Sequence, residues 1–380
     1  MHTNPKLRSK STSLPPLIAV AMFAILTITV QASAQKFIVY EAPGAGTGAG
    51  QGTIGFAPGA PGTIIGYYFD ADSVSHGMLW HGEDNFTTFE APGAGNSANQ
   101  GTFIWGGNIE GTTTGSYIDP DGAYHGFMRD SNGKITTFDA PGAGTGANQG
   151  TFSANISAVG TITGWYVDAE NVMHGFLRDR DGKTTSFDAP GAGTSAGQGT
   201  QETYYGSINL AGAITGNYID ASNVYHIFVR NPDGKFFTID APGAGTGANQ
   251  GTFTEMINAV GAVLGYSVDT NNLSHGFLWT PDGKFTWING PGAGTGVGQG
   301  TQPSYITPWW EIGGPYFDSN NVAHGFLGSL DGRFTKITAP GAGTGPGQGT
   351  YVDAIDQAGQ AVGGYIDANK VWHSFLWTPW

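Results

Sequence analysis

The sequence predicts an all-β fold, a seven-bladed β-propeller with four antiparallel strands per blade, closed by pairing of the N-terminal strand with the C-terminal blade. Three observations predict it. Two short markers recur seven times in phase, each interval divides into four strand-length runs, and the first and last runs complete one another.

The first marker, Pro-Gly-Ala-Gly, begins at Pro43, Pro92, Pro141, Pro190, Pro242, Pro291 and Pro340, in steps of 49 with a single step of 52. The second is a His usually followed by Gly-Phe, at His76, His125, His174, His226, His275, His324 and His373, with the same step lengths. One three-residue insertion therefore falls between Gly199 and Ile208. The chain holds 64 Gly and 20 Pro, which without a period would signal disorder. At fixed positions between apolar runs they read as turn residues instead.

In the third repeat, residues 150–156, 161–167, 172–178 and 183–188 are the four strand candidates. Asp-Pro-Asp-Gly at 119–122 and Arg-Asp-Gly at 180–182 suit tight turns, with Pro early and Gly where φ turns positive. Val172, His174 and Phe176 share one strand face by period two. No segment after residue 34 carries an amphipathic helical pattern. Residues 36–41 stand directly before the first Ala-Pro-Gly, where a fourth strand belongs, and the sequence stops at Trp380 just after a third strand at 373–377. Pairing these ends would close a ring and hide the sheet edges that an open array exposes.

Residues 1–34 read as a secretion signal. Lys6, Arg8 and Lys10 precede an uncharged 14-residue stretch from Leu17 to Val30, and Ala32-Ser33-Ala34 offers a cleavage site before Gln35. The apolar run is short for a membrane span, so the expected mature domain is 35–380, without a span and monomeric, exported to the periplasm or beyond a bacterial cell. Removing those three cations takes the net charge from −14 to −17. No basic stripe offsets this, which argues against nucleic-acid binding. Cys is absent, excluding disulfides and thiolate metal sites.

The motifs His-Gly-Phe-Leu-Arg (174–178), Asp-Gly-Lys (181–183), Phe-Asp-Ala-Pro-Gly (187–191) and Ile-Thr-Gly-Trp-Tyr-Val-Asp (162–168) resemble the extracellular HAF-type repeats of bacterial secreted proteins. The resemblance covers nearly all of 35–380 and implies secretion and a propeller-like array. It brings no catalytic residues. The sequence departs from the family pattern with Gly in place of Ala after most of the histidines, and with Ile227 and Ser374 at that position.

Each His follows an Asp by six residues: Asp70, Asp119, Asp168, Asp220, Asp269, Asp318 and Asp367. Strand parity places these Asp, the Pro-Gly-Ala-Gly loops and the glutamines from Gln51 to Gln348 on one side of the ring. A structural role is expected, Asp capping its own turn and His bonded between neighbours. One His and one Asp are too few ligands for a metal, and no cofactor is expected. The Gly-rich loops lack a Walker Lys and precede a strand, so they are not phosphate cradles.

Function is sought where the repeat is broken. The candidates are Gln201, Glu202, Tyr204 and Tyr205 around the insertion, and Trp309, Trp310 and Glu311 in the sixth repeat. Aromatic rings beside polar groups suit sugar stacking; the competing role for Trp309 and Trp310 is packing. The expected function is a secreted binding or scaffold module for extracellular or cell-wall carbohydrate, with a glycan or cell-surface partner. Two alternatives stand beside it: a hydrolase or lyase with Glu202, Glu255 or Glu311 at the central opening, and a surface-array protein.

Overall fold

The computed structural model describes residues 36–202, 206–356 and 358–379. The expected signal, Tyr204 and Tyr205 lie outside the described residues. The described residues form 29 strands, numbered β1 to β29. The first repeat shows the local logic. Strands β2 (Gly52–Pro58), β3 (Ile64–Phe69), β4 (Ser75–Trp80) and β5 (Phe86–Phe89) form an antiparallel meander. Ile64, Ile65, Tyr67, Tyr68 and Phe69 supply the β-branched and aromatic residues that favour a pleated, half-buried surface. Asp70 ends β3: its Oδ1 accepts the N–H groups of Asp72 and Val74, both at 2.9 Å, and so builds the turn into β4.

The ends of the described chain meet in one sheet. β1 (Lys36–Tyr40) pairs antiparallel with β29 (Trp372–Thr378), from Lys36↔Thr378 to Tyr40↔Ser374. β29 also pairs in parallel with β2 at Gly52↔Trp372. The result is a closed all-β ring.

Hydrogen bonding corrects the expected seven-bladed propeller of separate four-stranded blades. The third strand of each repeat pairs in parallel with the first strand of the next, as at Ser75↔Gly101, Tyr124↔Gly150 and Met173↔Gly199. All 29 strands thus belong to one sheet, built on a closed circuit of 21 strands. The cause is the Gly that opens each first strand. Gly101 sits at φ +109, and a Cβ there would lie 2.0 Å from the Ser75 carbonyl oxygen, so only Gly permits the approach. The count exceeds four per repeat because Pro303, lacking an N–H, splits the sixth repeat's first strand into β22 (Gly300–Thr301) and β23 (Tyr305–Ile306).

The core lies between successive repeats. Phe127, Phe176, Phe228, Phe277, Phe326 and Phe375 occupy one position of the third strands and are buried. Phe127, for example, packs with Ile65, Leu79 and Ile104 from its own and the preceding repeat. Antiparallel alternation gives the ring two sides. First and third turns of a repeat open on one: a Cβ at Gly160 of a first turn would lie 3.7 Å from Arg180 of the third turn. Second turns and repeat-to-repeat connections open on the other.

Candidate functional site

On the connection side each repeat builds the same polar unit. The Asp after the second strand divides its oxygens, Oδ1 capping the turn and Oδ2 facing the His six residues later. His76 Nε2 lies 3.1 Å from Asp70 Oδ2, and its Nδ1 contacts Glu90. His125 lies between Asp119 (3.3 Å) and Asp139 (3.0 Å), and His174 between Asp168 (3.2 Å) and Asp188 (2.9 Å). His226 lies between Asp220 (3.5 Å) and Asp240 (2.7 Å), and His373 between Asp367 (3.6 Å) and Glu41 (2.6 Å). His275 and His324 each have one carboxylate beside the ring, Asp269 (3.2 Å) and Asp318 (3.0 Å), because Asn289 and Thr338 replace the second carboxylate. Tyr68 stacks on His76 with centroids 4.8 Å apart, and Tyr117, Tyr166, Tyr218 and Tyr365 repeat the stack.

Carboxylates only accept, so two of them around one ring favour the imidazolium, which donates from both nitrogens. The hydrogen bond to Glu90 raises the His76 pKa above 6.5 despite burial; Asp240 and Glu41 do the same for His226 and His373. For Asp70 burial pulls upward, but the Val74 and Asp72 N–H groups and His76 together hold the carboxyl below the usual range. The glutamines lock the adjoining loops: Gln51 Oε1 accepts the Gly48 N–H at 2.8 Å while its Nε2 donates to the Ala71 carbonyl at 2.9 Å. In five repeats both ring nitrogens of the His thus meet carboxylates of the fold itself, and among the described residues no group of three or more His, Asp and Glu is placed to hold a metal.

The symmetry-breaking carboxylates do not act together. Gln201 and Glu202 are successive residues of β14 (Gly199–Glu202) and point to opposite sides. Gln201 is half-buried and Glu202 buried. The Thr163 and Ser207 hydroxyls beside Glu202 bond one another at 2.9 Å, and neither Glu202 oxygen has a well-formed hydrogen bond among the described residues. Burial pushes this carboxyl well above the ordinary range, against the pull of those hydroxyls, the Gly164 N–H and Arg230. Glu311 opens β24 (Glu311–Phe317), half-buried, with its pKa raised by burial.

Glu255 has a different neighbour, Asp353, which sequence reasoning missed. Burial, and then the Asp353 charge, push Glu255 up to about 8, and burial pushes Asp353 up to about 7. Solvent still reaches part of both side chains, so enclosure by the ring rather than full removal from water sets these shifts. The signal was available: Glu255 and Asp353 each stand five residues after the repeat Gln, where other repeats carry Phe56, Trp105, Ala154 and Ser304.

The first-turn side carries the concave feature. A cavity of about 740 Å³ is lined by first-turn residues of all seven repeats, including Pro61, Ile109, Ala158, Leu210, Ala259 and Trp309. Adjacent turns are tied by side-chain amides: Asn108 Nδ2 donates to the Ser157 carbonyl at 3.2 Å, and Asn209 Nδ2 to that of Asn258 at 3.0 Å. Trp309 stands on the rim at 68% exposure. Trp310 adopts φ +69 and turns inward against the core of the fifth and sixth repeats. The structure therefore separates the three candidates, leaving Trp309 alone at the cavity.

No protein-family model and no curated protein matches the chain. Solved structures do resemble it. The BP39L lectin from Burkholderia pseudomallei is 11% identical over 83% of this chain and 94% of its own, with a TM-score of 0.45. A fungal lectin from Aleuria aurantia, with a six-bladed β-propeller fold and fucose recognition, is 12% identical over 82% and 96%, at a TM-score of 0.37. A prolyl endopeptidase is 11% identical over 85% of this chain and 50% of its own, at 0.49. Likenesses this distant do not bear on what the chain binds.

Proposed function

We propose that the chain is a secreted carbohydrate-binding scaffold whose site is the first-turn cavity, with Trp309 as its stacking platform. One observation carries the reading: a large aromatic stands 68% exposed on the rim of a cavity of about 740 Å³ to which every repeat contributes. An indole face covers the apolar C–H surface of a sugar ring. The cavity places apolar walls next to polar lining side chains such as Asn155 and Gln360, which suit hydroxyls. Secretion and kinship with HAF-type repeat proteins belong to the same reading and rest on the leader and repeat motifs.

Glycan arrays and polysaccharide pull-down test it. Retention on a defined sugar, lost in Trp309→Ala and kept in a folded Trp310 variant such as Trp310→Phe, supports the reading. Absence of retention on every sugar, or retention indifferent to Trp309, overturns it.

A further inference from the structure

The fifth repeat departs from the others at three places around its His. Ser267 stands where Tyr68, Tyr117, Tyr166, Tyr218, Tyr316 and Tyr365 stand, eight residues before the His. Asn289 replaces the second carboxylate, and Trp287 takes the position that Thr137 and Thr238 hold on the fourth strand. These changes fall in one row: Ser267 pairs with His275 across the strands, and Gly276↔Ile288 sets Asn289 on its other side.

In six repeats the Tyr ring fills the space between the His and the Gly-rich loop before it. A Cβ at Gly44, Gly93, Gly142, Gly191, Gly292 or Gly341 would meet that phenol at 3.3 to 3.9 Å. At Gly243 it would meet nothing within 4 Å, so no other side chain replaces the ring there. The His reports the same opening. The His275 side chain is 37% exposed, against 17 to 24% for the other six. Ser267 is buried and closes the floor. Trp287, itself exposed, stands edge-on to His275 with centroids 6.3 Å apart, a wall of the slot and not a lid.

The chain itself shows what such a slot takes. Six times the fold lays a phenol between these two surfaces, with ring centroids 4.7 to 5.1 Å from the imidazole. Ser267 occupies the end where those rings join their backbone, so the slot accepts a ring that carries none. Asn289 exchanges a carboxylate, which only accepts, for an exposed amide that donates and accepts, as a hydroxyl requires.

We propose that the slot between His275 and Gly243 binds a small free phenol in the ring position left by the missing Tyr. It lies on the connection side, apart from the first-turn cavity and Trp309, and stands independently of the carbohydrate reading. Isothermal titration of the full chain with phenol tests it. The wild type should show a saturable site. Ser267→Tyr restores the residue of the other six repeats and should weaken binding by about tenfold or more while melting no lower than the wild type. Asn289→Asp, an exposed change that restores the carboxylate, should weaken it as well. Trp309→Ala should bind phenol as the wild type does. A wild type without a phenol site, binding that survives both Ser267→Tyr and Asn289→Asp, or binding lost in Trp309→Ala overturns the proposal. Methyl glucoside binding in place of phenol, blocked by Ser267→Tyr, also overturns it and assigns the slot to a sugar ring.

Discussion

His373 of the last strand and Glu41, which follows the first, are 332 residues apart in sequence and meet at 2.6 Å. Ser374 reinforces the junction: its Oγ accepts the Gly55 N–H at 2.6 Å and donates to the Thr53 carbonyl at 2.9 Å. Side chains and backbone register thus close the ring at the same place. Glu41→Gln keeps an acceptor for His373 and removes the charge. It should cost about 1 kcal/mol in urea unfolding at mildly acidic pH, the charge-assisted share of a partly exposed hydrogen bond after solvent screening. The difference should shrink as the pH rises and His373 loses its proton. An unchanged midpoint would show that the junction does not depend on this pair.

Stability should peak in mild acid. His76, His226 and His373 have pKa values raised above 6.5, so their contribution is complete below 6.5 and fades as the pH climbs through the folded values. Asp70 and its six equivalents are held below 3.8, so their contribution is complete above 3.8 and fades as the pH falls through the folded values. Glu255 and Asp353, raised to about 8 and about 7, work the other way: the unfolded chain releases their protons first, so stability declines from the unfolded values up to the folded ones. Melting temperature against pH should therefore be highest at about pH 4 to 5 and fall from there toward 8. Glu255→Gln should flatten the alkaline part of that decline. A curve rising steadily from pH 5 to 9 would contradict the assignment.

Two glycines of one loop should respond very differently to Ala. Gly52 sits at φ +111 with a Cβ position 2.0 Å from the Trp372 carbonyl oxygen, whereas Gly50, at φ +82, has nothing within 4 Å of its Cβ position. Gly50→Ala should cost about 1 kcal/mol, the left-handed backbone penalty alone. Gly52→Ala must also part β2 from β29 and should cost roughly 3–5 kcal/mol. Equal losses in chemical unfolding would argue against the parallel junction.

The two adjacent tryptophans should separate by stability as well as by binding. Trp309→Ala should leave unfolding within about 0.5 kcal/mol of the wild type, as an exposed substitution does. Trp310→Ala removes a ring that packs against the core cluster containing Ile306 and Ile312 and should cost roughly 2–4 kcal/mol. The reverse order would exchange their roles.

Much of this architecture was readable in the residues. The third repeat's first strand, expected at 150–156, is Gly150–Ile156, and its fourth, expected at 183–188, is Thr184–Phe187. The pairing of 36–40 with the C-terminal strand followed from where each repeat is cut. The continuous sheet was not readable, because it depends on one residue pair per junction and on how close a Gly backbone approaches its neighbour. Among the site candidates, Trp309 and Trp310 have the same chemistry, and only the positive φ of Trp310 decides which turns inward. The Glu255–Asp353 neighbourhood joins first strands of the fifth and seventh repeats, which are not adjacent in sequence and are coupled electrostatically past the sixth.

Closure is most directly tested by hydrogen–deuterium exchange of the intact chain. The amides of Phe37–Tyr40 that face β29 should exchange as slowly as those of β29 and β2, and the two segments should lose protection together as denaturant is raised. Fast exchange at 37–40 while 372–378 stays protected would mean that the ends are not joined and that the ring is open.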